Sequence, residues 1–226
     1  MKPKVKPRLR GVSHEWGAYI AGLAGLVLVV LAPTARAAWA AGIYSLSLVA
    51  LLGISALYHR PTWKPDARAI MRRLDHSAIF ILVAGTYTPL CMLVLVDRNG
   101  GSLLGLVWAG AGLGVAQSIF WPKAPKPLVA LVCVALGWVA VWEWTPLTTL
   151  LSLQVLLFIG MGGILYTLGA IVYSARRPDP WPEVFGYHEI FHALVVAAAV
   201  LHFTAVAQIV FEFGGAGASR VPVTGL

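Results

Sequence analysis

Charge is scarce in this chain. Asp, Glu, Lys and Arg make up 12% of its 226 residues, about half of the roughly 25% usual in a soluble globular domain. That scarcity excludes a disordered chain and an ordinary soluble one. Cysteine is scarcer still. Cys91 and Cys133 both sit inside apolar runs, so neither a zinc-type cysteine pair nor a disulfide framework is expected. No lysine lies within any apolar run, which excludes a retinal Schiff base. No stretch alternates with period two for long enough to build a barrel.

Apolar length is plentiful. Hydrophobic residues make up 59% of the chain and mean hydropathy is +0.80. About 20 apolar residues carry a helix across a bilayer, and seven such runs are legible: 16–33, 38–58, 75–96, 102–120, 128–145, 147–173 and 187–213. Turn residues punctuate them: Pro33, Pro61 and Pro65, Asn99-Gly100-Gly101, Pro122, Pro125 and Pro127, Pro146, then Pro178, Pro180 and Pro182. The expected fold is all-α, a polytopic seven-transmembrane helix bundle forming one domain over residues 1–226. Small residues such as Ala18, Gly22 and Gly25, or Gly110 and Gly114, suit close helix packing.

The net charge of +8 sits between the apolar runs, as a topology signal does. No nucleic-acid partner is expected. The N-terminal tail carries Lys2, Lys4, Lys6, Arg8 and Arg10, and the second loop carries Arg60, Lys64, Arg68, Arg72 and Arg73. Lys123 and Lys126 lie in the fourth loop, and Arg176 and Arg177 in the sixth. Only Arg36, Arg98 and Arg220 oppose them. The richer side is expected to be cytoplasmic, which puts the N-terminus inside and the C-terminus outside a cell membrane, with a bacterial inner membrane the expected location. Trp16, Trp63, Trp121 and Trp181 fall near inner ends, and Trp39, Trp142 and Trp144 near outer ends. Ala35-Arg36-Ala37 after a basic start and an apolar run also resembles a secretory signal with its cleavage site. The run is long for an h-region of about 7–15 residues.

Ionisable groups inside spans cost about 2.5–3.5 kcal/mol each near the bilayer centre and ask for partners. Here they are few: His14, Glu15, His59, Asp75, His76, His188, Glu189, His192, His202 and Glu212. His59 ends span two at the inner face, Asp75 and His76 open span three there, and His188 and His192 open span seven there. His188 and His192, four apart, share a helix face. With His59 they make three neutral nitrogen ligands, which leave a tetrahedral zinc ion one open position, the pattern of a catalytic site. Such an ion lowers the pKa of a water toward about 7. Asp75 is expected to hold or deprotonate that water, or else to pair with Arg72 or Arg73. Ser55, one turn deeper than His59, either supports the site or bonds the carbonyl four residues back. His76 reads as a supporting or helix-end residue. His202, roughly 15 Å deeper by helix rise, reads as an interhelical hydrogen bond. Glu15 is near enough in depth to contribute.

His188-Glu189-Ile190-Phe191-His192 also spells H-E-x-x-H, in which Glu189 would be the base of a metalloprotease. No second acidic motif or peptide-binding strand accompanies it.

The blocks Ser55-Ala-Leu-Tyr-His59-Arg60, Arg72-Arg73-Leu74-Asp75-His76-Ser77, Ala84-Gly85-Thr86-Tyr87-Thr88-Pro89, His188-x-x-x-His192 and His202-Phe203 resemble, in this order, the hemolysin III family, the bacterial branch of the progestin and adiponectin receptor superfamily. The resemblance runs from about residue 12 to 211. It implies a Zn2+ ion held by His59, His188 and His192, with Asp75 holding the zinc water. Span one departs from the commoner family pattern, since Glu15 is followed by Trp16-Gly17-Ala18-Tyr19. The family name implies a pore or lytic activity, the receptor branch resembles ceramidases, and bacterial relatives are implicated in membrane lipid homeostasis.

The expected function is a zinc-dependent hydrolase acting on an amide or ester of a membrane lipid. Asp75 and Ser55 would be its catalytic groups, and membrane lipids its partners. The alternatives are a membrane sensor with structural zinc, a pore-forming hemolysin, and an intramembrane protease. Too few charges lie in the spans to line a wide aqueous pore. Copper or nickel would compete with zinc in vitro, and the oligomeric state is left open.

Overall fold

The computed structural model describes residues 6–215. Lys2, Lys4 and Arg220 lie outside the described residues. Eight helices follow in order: α1 Val12–Val30, α2 Ala35–His59, α3 Pro65–Pro89, α4 Gly100–Phe120, α5 Lys126–Gly137, α6 Trp144–Leu150, α7 Leu153–Ala175 and α8 Tyr187–Phe213. Among the described residues there is no strand, only an isolated bridge between Trp181 and Phe185. A tight turn over Val139–Glu143 joins α5 to α6, so that pair forms one span. Seven stretches are long and apolar enough to cross a membrane, and the protein is a multi-pass membrane protein.

α3 lies at the centre. It packs against α2, α4, α5 and α8, and its window is the most buried of the seven. Small side chains allow this. Ala78 and Ala84 on α3 and Ala37, Ala40 and Ala41 on α2 are all buried, and Gly85 on α3 meets Ser47 on α2; small residues let helix backbones approach in lipid. Gly85 faces Ser47, Gly25 faces Ser45 and Gly114 faces the ring of Phe80, each with no room for a Cβ. The outward faces are apolar, with Leu23, Leu46, Leu113 and Leu153 all exposed, as contact with acyl chains requires. Trp16, Trp39, Trp121, Trp142, Trp144 and Trp181 also point outward.

Two span boundaries differ from the sequence reading. α3 starts at Pro65, ten residues before the apolar run, because Pro65 suits the first helical turn and the charged turns that follow need no lipid. Asp75 therefore lies well inside α3 rather than at its start. Pro146 does not separate spans five and six. It sits in the first turn of α6, and the break comes at Leu151-Ser152, where the Ser152 hydroxyl accepts from the Val155 N–H and caps α7.

Two irregularities shape the interior. Pro89 cannot donate to the backbone ladder, and beyond it the helix widens over Leu90–Val94 before Leu95 N donates to Leu90 O. Where α5 stops at Gly137, Tyr87 supplies the missing partners. Its hydroxyl donates to Gly137 O at 2.7 Å and accepts from Ala140 N at 2.8 Å. Backbone groups freed at membrane depth need such partners. α5 itself buries no residue and is the least enclosed span.

Candidate metal centre

Helix ends gather the polar side chains. α2 ends on His59, and α8 opens on His188 and His192. The start of α8 is held in place by neighbouring acids. Asp179 accepts from Tyr187 N at 2.9 Å, and Glu189 accepts from Gly186 N at 2.9 Å. Ahead of α1, the segment before Gly11 ties both loops together. Lys6 Nζ donates to Arg60 O at 2.6 Å, while Arg8 N and Leu9 N donate to Glu183 O and Val184 O. Gly11 turns with φ 79°, and a Cβ there would stand 2.9 Å from His59 Cβ. Glycine adopts this left-handed conformation at little cost and leaves room for the chain to close over His59.

One ligand nitrogen from each of His59, His188 and His192 lies within 4.8 Å of the others. The Nε2 atoms of His59 and His188 are 3.1 Å apart. The three rings have centroids 4.6–5.0 Å apart. A tetrahedral ion with bonds of about 2.0–2.1 Å wants nitrogens roughly 3.3 Å apart, so small side-chain movements suffice. The set is three imidazoles with no thiol, which suits zinc, copper or nickel. The donor chemistry fits a divalent metal ion.

Asp75 lines the same cavity and lies beside Ser55, which lines it too. It makes no ion pair with Arg72 or Arg73 among the described residues; Arg72 instead donates to Pro122 O at 2.8 Å. Ser55 is buried beside that carboxyl. His76 lines the cavity as well. The cavity, about 530 Å³, continues past the histidines to Trp138, Gly163 and His202. His202 Nε2 is 3.1 Å from Ile159 O, an interhelical bond to α7, and its ring packs against Gly162.

Two acids drop out. Glu15 pairs with Arg60 at 2.8 Å near the surface. Glu189 is buried and gives one oxygen to Gly186 N and the other to Arg10 Nε; it does not line the cavity. The H-E-x-x-H pattern thus lacks its base. Removing one partner from a buried ion pair costs about 3–5 kcal/mol. Glu189→Ala is therefore expected to lower the thermal midpoint in detergent while leaving bound metal at the wild-type level. A fully stable Glu189→Ala protein that had lost only activity would restore the protease reading.

His14 was not assigned from sequence. It is 2% exposed, and its ring stacks on His192 at 3.8 Å between centroids and 7° between planes. Neither of its nitrogens has a protein hydrogen-bond partner. Its depth at the inner end of span one, level with the other histidines, was the available signal.

Comparison with known proteins decides the family. The family described as haemolysin-III related matches residues 3–203. The chain belongs to the haemolysin-III family. Haemolysin-III relatives include the hemolysin-3 homolog of Bacillus subtilis (strain 168), 31% identical over 195 residues, which cover 85% of this chain and 88% of that protein. Hemolysin-3 of Bacillus cereus is 30% identical, over 85% of this chain and 86% of its own. More distantly, the adiponectin receptor protein of Drosophila melanogaster is 26% identical over 74% of this chain and 41% of its own, which places the haemolysin-III family beside the adiponectin receptors. A haemolysin-III protein with a histidine cluster able to hold a metal is thus established for this chain.

Proposed function

We propose that this protein is a zinc-dependent hydrolase of an amide or ester bond in a membrane lipid. The observation that carries this is the convergence of His59, His188 and His192 on one point in a cavity that Asp75 also lines. Three protein ligands leave a position open for chemistry, whereas a purely structural ion is ordinarily closed by four.

Zinc held there supplies Lewis acidity and a water of lowered pKa. The chain's own groups do the rest. Asp75 accepts a proton from the attacking water, whose oxygen bonds to the acyl carbon. As the C–N or C–O bond breaks, Asp75 returns that proton to the leaving amine or alcohol. Ser55, beside Asp75, holds the carboxyl in place. The apolar depth of the cavity takes the acyl chain. Access is lateral from the bilayer, beside the loosely enclosed α5.

The whole chain forms a single seven-span domain in this reading, and the histidine end faces the cytoplasm. Lys6, Arg8, Arg10, Arg60, Lys64, Arg68, Arg72, Arg73, Lys123, Lys126, Arg176 and Arg177 lie at that end, against Arg36 and Arg98 at the other.

The test is a lipid extract incubated with purified, zinc-loaded protein and resolved by mass spectrometry. Loss of one class of lipid amide or ester, with matching fatty acid and stopped by a chelator, is expected. If zinc stays bound and no lipid amide or ester is consumed, the hydrolase reading fails and zinc is a structural element of a sensor.

A further inference from the structure

The cavity has two ends of opposite character. Its rim carries Arg68, Arg72, Lys123 and Lys126, and among the described residues no carboxylate lies within 4.0 Å of any of them. The ion pairs that do form take up other cations: Arg10 goes to Glu189 and Arg60 to Glu15. Asp75 is the one acid in the lining among the described residues, and Ser55 lies beside it.

Two of these cations are set in fixed positions. Arg72 anchors one nitrogen on Pro122 O, on the turn between α4 and α5, while its Nε is buried without an acceptor. A buried N–H left unpaired is costly, so this donor stands ready for an oxygen from a ligand. Lys126 is the first residue of α5, just before the apolar stretch. Its ammonium sits 4.1 Å from the Tyr173 ring centroid and 6.0 Å from that of Tyr187. Aromatic faces hold a cation without neutralising it. The Tyr173 ring is in turn 5.9 Å from His188, so one aromatic ring separates the ammonium from the metal cluster.

The other end is mostly apolar. Val129, Cys133 and Val134 line it from α5, Trp138 from just past the end of α5 and Ala170 from α7, with Thr86, Tyr166, Thr167 and His202 among them; residues 129–138 span about 14 Å of helix rise. A methylene takes up about as much space as a water, roughly 30 Å³. The volume of about 530 Å³ therefore has room for a head group with one acyl chain.

We propose that the ligand of this cavity is a single-chain lipid with a fixed oxyanion, phosphate or carboxylate, beside its hydrolysable bond. The oxyanion seats between Arg72 and Lys126, and the chain runs along α5 toward Trp138. Its identity as a substrate rests on the hydrolase reading; its binding does not.

Binding is measured on the full chain in phosphatidylcholine nanodiscs, with metal removed by chelation so that no turnover enters. The probes are dodecyl phosphate, laurate, dodecanol and inorganic phosphate. Both anionic probes are expected to bind at least about tenfold tighter than dodecanol, an electrostatic gain of about 1.4 kcal/mol, with the tighter of the two naming the oxyanion. Lys126→Gln and Arg72→Gln are each expected to remove most of that preference, and Arg73→Gln, on the exposed neighbour, to keep it. Should Arg72→Gln misfold for want of the Pro122 contact, Lys126→Gln decides alone. Equal affinity for dodecanol and dodecyl phosphate overturns the proposal. So does a preference that survives Lys126→Gln, or inorganic phosphate displacing dodecyl phosphate at equal concentration. A lipid screen without turnover would leave this preference standing, and loss of the preference would leave the metal and Asp75 results standing.

Discussion

Purified in mild detergent, the wild-type protein is expected to carry one equivalent of divalent metal per chain, and His188→Ala almost none. Altering a group that merely supports a ligand typically lowers metal affinity about 10–100-fold, and removing one of three ligands should exceed that. His59→Ala should behave alike, since its Nε2 is 3.1 Å from that of His188. His202→Ala is the control: its Nε2 is spent on Ile159 O, so its metal content should stay at the wild-type level. Elemental analysis beside protein concentration is the measurement. Retention of a full equivalent by His188→Ala would remove the centre altogether. The same variants separate a catalytic from a structural ion. If the ion is catalytic, His59→Ala remains folded and loses turnover; if structural, its thermal midpoint falls to that of chelated wild type, because metal that binds only the folded state stabilises it.

Asp75→Asn should lower lipid hydrolysis by about 10²–10⁴-fold, the usual range for a lost general acid–base group, while metal content stays at one per chain. The carboxyl lines the cavity and has no cation within ion-pair distance among the described residues, so its loss breaks no salt bridge. The asparagine keeps the shape and an acceptor for the Ser55 hydroxyl. Ser55→Ala should cost less, on the order of tenfold, because Ser55 acts through Asp75 and not on the acyl carbon. Turnover unchanged in Asp75→Asn would move proton transfer to another group, with His14, stacked on His192, the next to examine.

Much of this centre was legible before any coordinates. Membrane topology puts the end of an even span and the start of an odd one at the same face, so His59, Asp75 and His188 had to share a depth. A four-residue spacing puts His188 and His192 on one side of a helix. What sequence could not decide was which neighbour each polar group chooses. Glu189 lies between two cavity histidines in the chain, yet helix geometry turns it about 100° from His188 and about 60° from His192, toward Arg10 and the helix start. Lys126 looked like a loop residue because the apolar run begins after it, but Pro125 and Pro127 let the helix begin at Lys126 and carry the ammonium into the cavity rim.

The amino-acid sequence by itself determined the seven spans, their all-α class and the small set of imidazoles and carboxylates able to meet at one end. Hydropathy and periodicity are local properties, and bilayer thickness converts them into spans. Only the tertiary structure decided that His14 stacks on the cluster, that Glu189 is spent on Arg10, and that one cavity runs from the basic rim past the histidines to His202. Those outcomes depend on how closely small residues such as Gly85 and Gly25 let helices approach and on which way each is turned. A run of residues along one strip of chain does not record either distance or rotation between strips.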